Sequence, residues 1–219
     1  MYADGEAHWY TNDGGKKYLP SVSTVLGLLK DGLEYVSPYD LRIAAERGVK
    51  VHAATEKLEQ DNTLLKDFYS DKEWEMIAGF IQWHADISPQ ATIASEKLML
   101  NKRAGFAGTL DRIYSDGRQH NTLLDIKTTA AIYPKHWLQV AAYAKLAELE
   151  GTHIEEVAIL RLTDRTKKRY QYETRNREEW LADYKKFENI LKVWRDLNGD
   201  KQPKMLELPD TLSLNVTTT

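Results

Sequence analysis

Two short apolar segments, each interrupted by an aspartate, constrain this chain more than any other feature of its sequence. They lie within GFAGTLDRIYSDGRQHNTLLDIKTT, residues 105–129, on either side of a polar, glycine-containing spacer. Apolar runs of this length, separated by turn-forming residues, are typical of adjacent antiparallel strands. A turn centred near Arg118 would set Asp111 opposite Asp125, because equal numbers of residues separate each aspartate from that centre. The sequence therefore predicts a strand pair with two carboxylates on one face.

Two opposed carboxylates in apolar strands need a positive partner. Like charges directly across a strand pair are destabilising, and burying them unpaired would cost several kcal/mol or force one to take up a proton. A divalent cation removes this conflict, and Mg²⁺ accepts one or two carboxylates together with water and phosphate oxygens. We therefore expect Asp111 and Asp125 to form a metal site, with the Ile126 carbonyl as a further candidate ligand.

Lys127 extends the chemistry that this strand can carry. It lies two residues after Asp125, so strand alternation directs it to the same face. An ammonium beside a metal-bound carboxylate pair can orient or help deprotonate an attacking water and can stabilise negative charge on a phosphoryl group. An Asp-x-Lys pair alone is weak evidence, since surface ion pairs of this kind are common.

Glu96, on the strand predicted to precede Asp111, is open to two interpretations. It joins the carboxylate cluster as a further catalytic or metal-binding group, or it pairs with Lys97 or Arg112 in solvent. The sequence favours neither, because strand alternation fixes a face but not the partner of a long side chain.

The remaining patterns predict one domain, over residues 1–219, of the α/β (α+β) class with a central mixed sheet flanked by helices. A β-hairpin is expected at about 8–20, where NDGG separates two apolar runs, and a C-terminal extension at about 201–219. Between these, the order is helices, three antiparallel strands, a helix, a hairpin and a long helix. The predicted helices include one from Tyr39 to about Gln60, one capped by Ser70, one over HWLQVAAYAKLAELEG and one over REEWLADYKKFENILKVWRDLNG.

Composition excludes several alternatives. The net charge is only −3, with a pI near 6.1, so any nucleic-acid surface has to be local. The chain has no cysteine, which excludes disulfides, thiolate zinc sites and cysteine-ligated iron–sulfur clusters. It also lacks an apolar run of membrane-spanning length, a signal-peptide pattern and a phosphate-binding P-loop motif, so we expect a cytoplasmic protein with no membrane partner and no helicase motor.

The two aspartates and the lysine resemble the core motif of the PD-(D/E)xK nuclease superfamily. Asp111 matches the first acidic position, although leucine precedes it where the family often has proline, and Asp125-Ile126-Lys127 matches the (D/E)xK triplet. The resemblance implies a restriction-endonuclease-like core. It also implies a nuclease that hydrolyses phosphodiester bonds with one or two Mg²⁺ or Mn²⁺ ions.

Two flanking motifs narrow the resemblance to the RecB-type exonuclease branch. RGVKVHAATE contains His52 and Glu56 at G-xxx-H-xxx-E spacing, and LQVAAYA contains Gln139 and Tyr143 as Q-xxx-Y. This branch includes phage exonucleases and the mitochondrial genome-maintenance exonuclease, and the similarity extends over roughly residues 8–195. In the branch pattern His52 joins the metal ligands, and Glu56 either ligates or orients the histidine, since residues four apart share a helix face.

DNA is the expected partner, either single-stranded or with free ends, in phage or bacterial recombination or repair. The resemblance also leaves a place for a recombination or single-strand-binding protein. Gln139 and Tyr143 are expected to contact the substrate backbone or to hold their helix against the site. Lys135 and His136, at the start of that helix, are expected to meet phosphate. A second basic cluster, with interleaved tyrosines, lies in RLTDRTKKRYQYETRNR. It either contacts the phosphates and unpaired bases of a nucleic-acid strand or is an ordinary solvated hairpin.

Two further functions fit the same residues. A structure-specific endonuclease uses the same fold and motif, and a non-cleaving DNA-binding module keeps the fold as a scaffold. The joint presence of His52, Asp111, Asp125 and Lys127 argues against loss of catalysis.

Overall fold

A five-stranded mixed sheet forms the centre of the computed structural model. Its spatial order is β4-β5-β6-β7-β8, with all neighbours antiparallel except β6 and β7, which are parallel. The strands are β4 Ala91–Asn101, β5 Phe106–Ser115, β6 Asn121–Lys127, β7 Glu156–Leu162 and β8 Tyr170–Asn176. The structure describes residues 2–4, 7–11, 14, 17–29, 36–89, 91–117, 120–199 and 201–203.

The chain order explains the change from antiparallel to parallel pairing. Strands β4, β5 and β6 follow one another through short connections, so each can turn back on its predecessor. Parallel strands need a longer crossover, and helix α4, Pro134–Leu149, supplies it between β6 and β7. Strand β7 is buried along nearly its whole length, as expected for a strand covered on both faces. The predicted mixed sheet flanked by helices is confirmed.

Helices cover both faces of the sheet. One core layer joins the sheet to α1 (Val22–Leu26), α4 and α5 (Arg177–Asn198), and the other joins it to α2 (Pro38–Asp61) and α3 (Asp71–Ile87). Side-chain caps start most of these helices: a serine precedes α1, α2 and α3, and an asparagine precedes α5. The helices predicted from Tyr39 and from the Ser70 cap begin within one residue of those positions.

The N-terminal region is a small three-stranded sheet rather than a simple hairpin. Strands β2 (Ala7–Tyr10) and β3 (Leu19–Pro20) pair antiparallel, as predicted for residues 8–20, and β1 (Tyr2–Asp4) adds a third strand. Part of the predicted turn, the predicted turn centre Arg118 and most of the expected extension at 201–219 lie outside the described residues. A 3-10 turn at Lys66–Phe68 links α2 to α3. None of the described helices is both long enough and apolar enough to span a bilayer.

Candidate functional site

The two aspartates lie where strands β5 and β6 stop pairing. The ladder runs from Ser115↔Asn121 to Arg112↔Leu124, and Asp111 and Asp125 come one step later in this register. Instead of continuing the ladder, Asp111 Oδ2 accepts a hydrogen bond from the Ile126 backbone N–H at 2.6 Å. The predicted opposition is therefore right in register. It differs in geometry, because the Asp111 carboxylate takes the place of a backbone acceptor.

Asp125 is a buried carboxylate with incomplete compensation. It is 2% exposed, and Lys127 Nζ lies 2.7 Å from its Oδ2. This contact is an ion pair without good hydrogen-bond alignment, because Oδ2 has no hydrogen-bond partner of proper geometry within the described part of the chain. Burial raises the pKa of Asp125 to about 6, although Lys127 opposes the shift. Burial also raises the pKa of the neighbouring Asp111 carboxyl.

His52 and Glu96 bring two further ligand atoms to Asp111. One ligand atom from each of His52, Glu96 and Asp111 lies within 4.8 Å of the other two, and His52 Nδ1 is 3.6 Å from Asp111 Oδ2. Burial, assisted by the Lys127 charge, lowers the pKa of His52, which keeps the imidazole neutral and able to ligate a metal. Burial also raises the pKa of Glu96, with the Asp111 charge as the next cause.

The backbone of Glu96 is unusual for a residue in a strand. Its φ is +45°, between the regular pairs Ser95↔Arg112 and Lys97↔Leu110 of the β4–β5 ladder. A non-glycine residue in this left-handed region costs roughly 1–3 kcal/mol, and such strain clusters at functional sites. The flanking pairs set Glu96 opposite Asp111 in this register, and one Glu96 carboxylate oxygen lies within 4.8 Å of an Asp111 oxygen.

Arg112 is a partner of Glu96, as the second interpretation expected, but it is buried rather than in solvent. Its guanidinium is fully buried, and it donates to Glu96 Oε1 at 3.0 Å and to Glu59 Oε2 at 2.5 Å. Tyr114 donates to the other Glu59 oxygen at 2.6 Å. Lys97 instead pairs with Glu150. Glu96 therefore pairs with Arg112 and also lies next to His52 and Asp111, and its role as a metal ligand stays a prediction.

Gln139 and Tyr143 form a chain of contacts that ends at the candidate catalytic lysine. Lys127 Nζ donates to Gln139 Oε1 at 2.9 Å, and Gln139 Nε2 donates to Tyr143 Oη at 2.9 Å. Tyr143 is 7% exposed, and burial raises the pKa of its hydroxyl. Its ring packs so closely on Gly108 that a Cβ there would lie 2.4 Å from the ring. These contacts tie α4 to Lys127 and to β5, which fits the expectation that the two residues hold their helix against the site, and a contact with substrate stays a prediction.

His136 differs from its expected role as a phosphate contact. It is 3% exposed, and its Nδ1 accepts a hydrogen bond from the Tyr133 backbone N–H at 3.2 Å. It therefore closes the first turn of α4 rather than facing a ligand. Burial lowers its pKa to about 3, with further lowering by Lys127 and Lys135. Lys135 stays partly exposed, and burial lowers its pKa.

Glu56 forms no hydrogen bond with His52, so the contact that would orient the histidine is not seen, and ligation by Glu56 stays a prediction. Its carboxylate accepts a hydrogen bond from Gln60 at 3.3 Å, and no hydrogen bond joins it to the histidine. The reason is that four residues along a helix bring two side chains to one face without fixing their partners.

The expected basic hairpin is largely neutralised by neighbouring carboxylates. Arg169 pairs with Glu75, Lys168 lies 3.6 Å from Asp86, and Tyr170 also donates to Asp86. Arg175 pairs with Asp183, and Arg177 with Glu148. Most of these cations therefore hold β8 and its turn against the helices, whereas Arg161 and Arg165 of the same cluster line a small cavity.

The donor set fits a divalent cation. It combines a neutral imidazole, the Asp111 carboxylate that accepts from a backbone N–H and the partly exposed Glu96 carboxylate, with the Asp125–Lys127 ion pair beside them. Carboxylates suit Mg²⁺ and Mn²⁺, and the imidazole suits Mn²⁺ better. Sequence reasoning missed Glu59 as a support of this set, and it named Arg112 only as a solvent-exposed partner of Glu96. Their only sequence signal is charge at positions that become buried.

Comparison with known proteins gives distant similarity to solved structures only. No family model and no curated protein matches the chain. Among solved structures, the chain is similar to an alkaline exonuclease, LHK-Exo, from Laribacter hongkongensis, with 12% identity, a TM-score of 0.41 and coverage of 81% of this chain and 92% of that chain. The structure of LHK-Exo in complex with dAMP gives the same identity and TM-score and covers 88% of that chain. At this TM-score the similarity assigns no role to any residue, so the roles below rest on the geometry of the chain itself.

Proposed function

We propose that this chain is a metal-dependent deoxyribonuclease that hydrolyses phosphodiester bonds at DNA ends. One observation carries the proposal: His52, Glu96 and Asp111 converge to within 4.8 Å beside the buried Asp125–Lys127 pair. A structural ion pair alone would not need two further carboxylates and an imidazole at the same point. The PD-(D/E)xK resemblance supports phosphodiester hydrolysis, and the RecB-type motifs support action on ends, in phage or bacterial recombination or repair.

His52, Asp111 and Asp125 would hold the ion or ions, with Glu96 and the Ile126 carbonyl as further ligands. Bound Mg²⁺ or Mn²⁺ would supply Lewis-acid stabilisation of the phosphoryl oxygens and a more acidic water. The expected dependence on these ions follows from the carboxylate-rich donor set. Iron–sulfur chemistry is not part of the proposal, because the sequence offers no thiolate.

Lys127 is the protein group that acts on the water and on the developing charge. Its ammonium contacts Asp125 Oδ2 and Gln139 Oε1, so its position is fixed from two sides. In this position it can orient a water for in-line attack and stabilise negative charge on the phosphate. Gln139 acts through Lys127 and is a positioning residue.

The decisive experiment compares DNA forms and metals. End-labelled single-stranded DNA, end-labelled double-stranded linear DNA and closed circular DNA are incubated with Mg²⁺, Mn²⁺ or EDTA. We expect stepwise shortening of linear DNA with either ion, no cleavage in EDTA and no cleavage of circles. Cutting of circles would replace the exonuclease by an endonuclease. Metal-dependent DNA binding without cleavage would favour a non-cleaving module.

A further inference from the structure

A small cationic cavity lies next to the candidate active site, beyond the ends of the two parallel strands. Strands β6 and β7 pair up to Lys127↔Arg161, and the cavity begins with the next residue, Thr128. In open sheets with parallel strands, ligands bind outside the carboxyl ends of those strands. The cavity volume is about 70 Å³. Since one water needs only about 10–15 Å³ measured in this way, there is room for a small polyatomic anion.

The charge of the cavity lining is strongly positive. Three arginines and one lysine line it, against one carboxylate: Arg47, Arg161, Arg165, Lys72 and Asp164. Lys72 and Asp164 form a 3.7 Å ion pair with each other, which leaves the three arginines without a carboxylate in the lining. Arginine forks match phosphate oxygens well, and they carry their charge at all relevant pH values.

Arg47 lines the cavity with an unpartnered donor. Its Nε is buried and has no hydrogen-bond partner within the described residues. Leaving a charged donor unsatisfied in this way is costly, so such groups usually meet a ligand or water. The neighbouring Gly48 brings α2 close to β6, because a Cβ there would lie 3.3 Å from Thr128 Oγ1. Arg47 and the Thr128 hydroxyl therefore border the same cavity.

Arg161 also lines the cavity, and its guanidinium is held in place by hydrogen bonds. It is 7% exposed, and its Nε donates to the Thr129 carbonyl at 2.9 Å while its Nη1 donates to Gln171 at 3.2 Å. These bonds fix the guanidinium and leave some of its five N–H groups for another acceptor. A fixed cation loses little side-chain freedom when an anion binds.

We propose that this cavity is a phosphate subsite that holds a phosphate group of the DNA strand beside the reacting phosphodiester, with Arg47, Thr128 and Arg161 as its main contacts. The assignment rests on the proposed nuclease function for the nature of the ligand. Two sources share the same chemistry. One is the terminal phosphomonoester of a DNA end, and the other is an internal phosphodiester next to the bond that is cut.

The test measures binding in EDTA, so that it does not depend on cleavage. Fluorescence anisotropy would follow an internally labelled single-stranded oligonucleotide with a 5′-phosphate, a 3′-phosphate or neither, over a range of salt concentrations. Arg47→Met is compared with wild type and with Arg42→Met, an exposed arginine on the same helix whose ion pair is with Glu46. Thr128→Val removes one hydroxyl at nearly constant volume.

We expect Arg47→Met to weaken binding roughly tenfold or more. The slope of log K against log salt should fall by about 0.7, as for the loss of one phosphate contact to a single strand. Arg42→Met should bind like wild type, and Thr128→Val should show a smaller loss. If the wild-type preference for one phosphorylated end disappears in Arg47→Met, the ligand is a terminal phosphate. If all three oligonucleotides lose equally, it is an internal one.

Three results would overturn the subsite: no binding of wild type at low salt, wild-type affinity in Arg47→Met, or an equal loss in Arg42→Met. Its failure is separable from failure of the nuclease proposal. Arg47-dependent binding by a protein that never cleaves with Mg²⁺ or Mn²⁺ keeps the subsite and removes the catalysis. Normal cleavage together with unchanged binding by Arg47→Met does the reverse.

Discussion

Asp111 and Arg112 are neighbours on one strand, yet they lie in opposite electrostatic situations. Arg112 is fully buried, but carboxylates from α2 and β4 bind its guanidinium, Glu59 at 2.5 Å and Glu96 at 3.0 Å. Asp111 and the nearby Asp125 share one close ammonium, Lys127, and one Asp125 oxygen remains without a well-formed hydrogen bond. The chain thus supplies two carboxylates for the arginine, although its Nη2 also lacks a hydrogen-bond partner among the described residues, whereas the two aspartates share Lys127 as their close cation.

This difference separates a structural network from a binding site. Burial of charge requires a counter-charge in either case. Where the chain supplies the counter-charge, removal of one residue of the network should lower the stability of the fold. Where the counter-charge is incomplete, removal of one residue of the site should reduce activity without lowering stability. Glu96 touches both groups, so it is the link through which the structural network holds the candidate metal site.

The largest effect is expected on the compensated side. Arg112→Met leaves Glu59 and part of Glu96 without their cation, and breaking a buried pair from one side costs about 3–5 kcal/mol in free energy of unfolding. Chemical denaturation should show this loss. The double variant Arg112→Met with Glu59→Gln should recover part of it. Full stability in the single variant would mean that the network does not carry the structural role assigned to it.

Asp125→Asn tests the other side of the comparison. The amide keeps the shape but removes the buried charge, so metal-dependent cleavage should fall roughly 10²–10³-fold or more. The metal-free protein should be at least as stable as wild type in EDTA, because a repelling, desolvated carboxylate has been removed. Asp61→Asn, an exposed change near the end of α2, is the matched control. A clear loss of thermal stability in Asp125→Asn would contradict the distinction between a structural network at Arg112 and a binding site at the aspartates.

Gln139→Met tests the contact that holds Lys127 in the candidate site. Without its amide acceptor, Lys127 loses one of its two holding contacts. We expect kcat to fall about 10–100-fold, as for other supporting groups, with little change in KM for DNA. Tyr143→Phe, which removes only the outer contact, should have a smaller effect. An increase in KM with unchanged kcat would instead indicate that Gln139 binds the strand directly.

His136→Gln gives the smallest expected effect. It tests whether burial near Lys127 and Lys135 keeps the His136 imidazole neutral in the folded protein. Burial lowers the folded-state pKa of His136 from 6.5 to about 3. The unfolded chain therefore takes up the proton first, and wild type loses stability as pH falls from about 6.5 towards 3. At pH 5 the loss relative to pH 8 should be about 1–2 kcal/mol.

The glutamine variant should flatten this pH dependence of unfolding by denaturant. Identical pH profiles for wild type and His136→Gln would contradict the assigned burial of a neutral imidazole.

The sequence predicted those parts of the molecule that depend on local pattern. Strand alternation and the polar spacer were sufficient for the register that brings Asp111 and Asp125 to neighbouring positions. N-cap residues and the spacing of apolar residues were sufficient to predict the helices. What could not be predicted depends on how α2 docks on the sheet, because no local pattern links Glu59 to Arg112. The left-handed backbone of Glu96 was also invisible, since glutamate is not a residue that favours that conformation.

The separations along the chain have a consequence for how the site assembles during folding. Lys127 meets its glutamine across 12 residues, and Asp111 meets the Ile126 N–H across 15, whereas Arg112 reaches Glu59 across 53. Contacts between distant residues carry a larger loop-closure entropy and tend to form later. A chain with α2 still undocked would already hold both aspartates and the lysine but would lack His52. Docking of α2 is therefore the step that should make a partly folded chain competent for metal, and amide hydrogen exchange along α2 should slow when the ion binds.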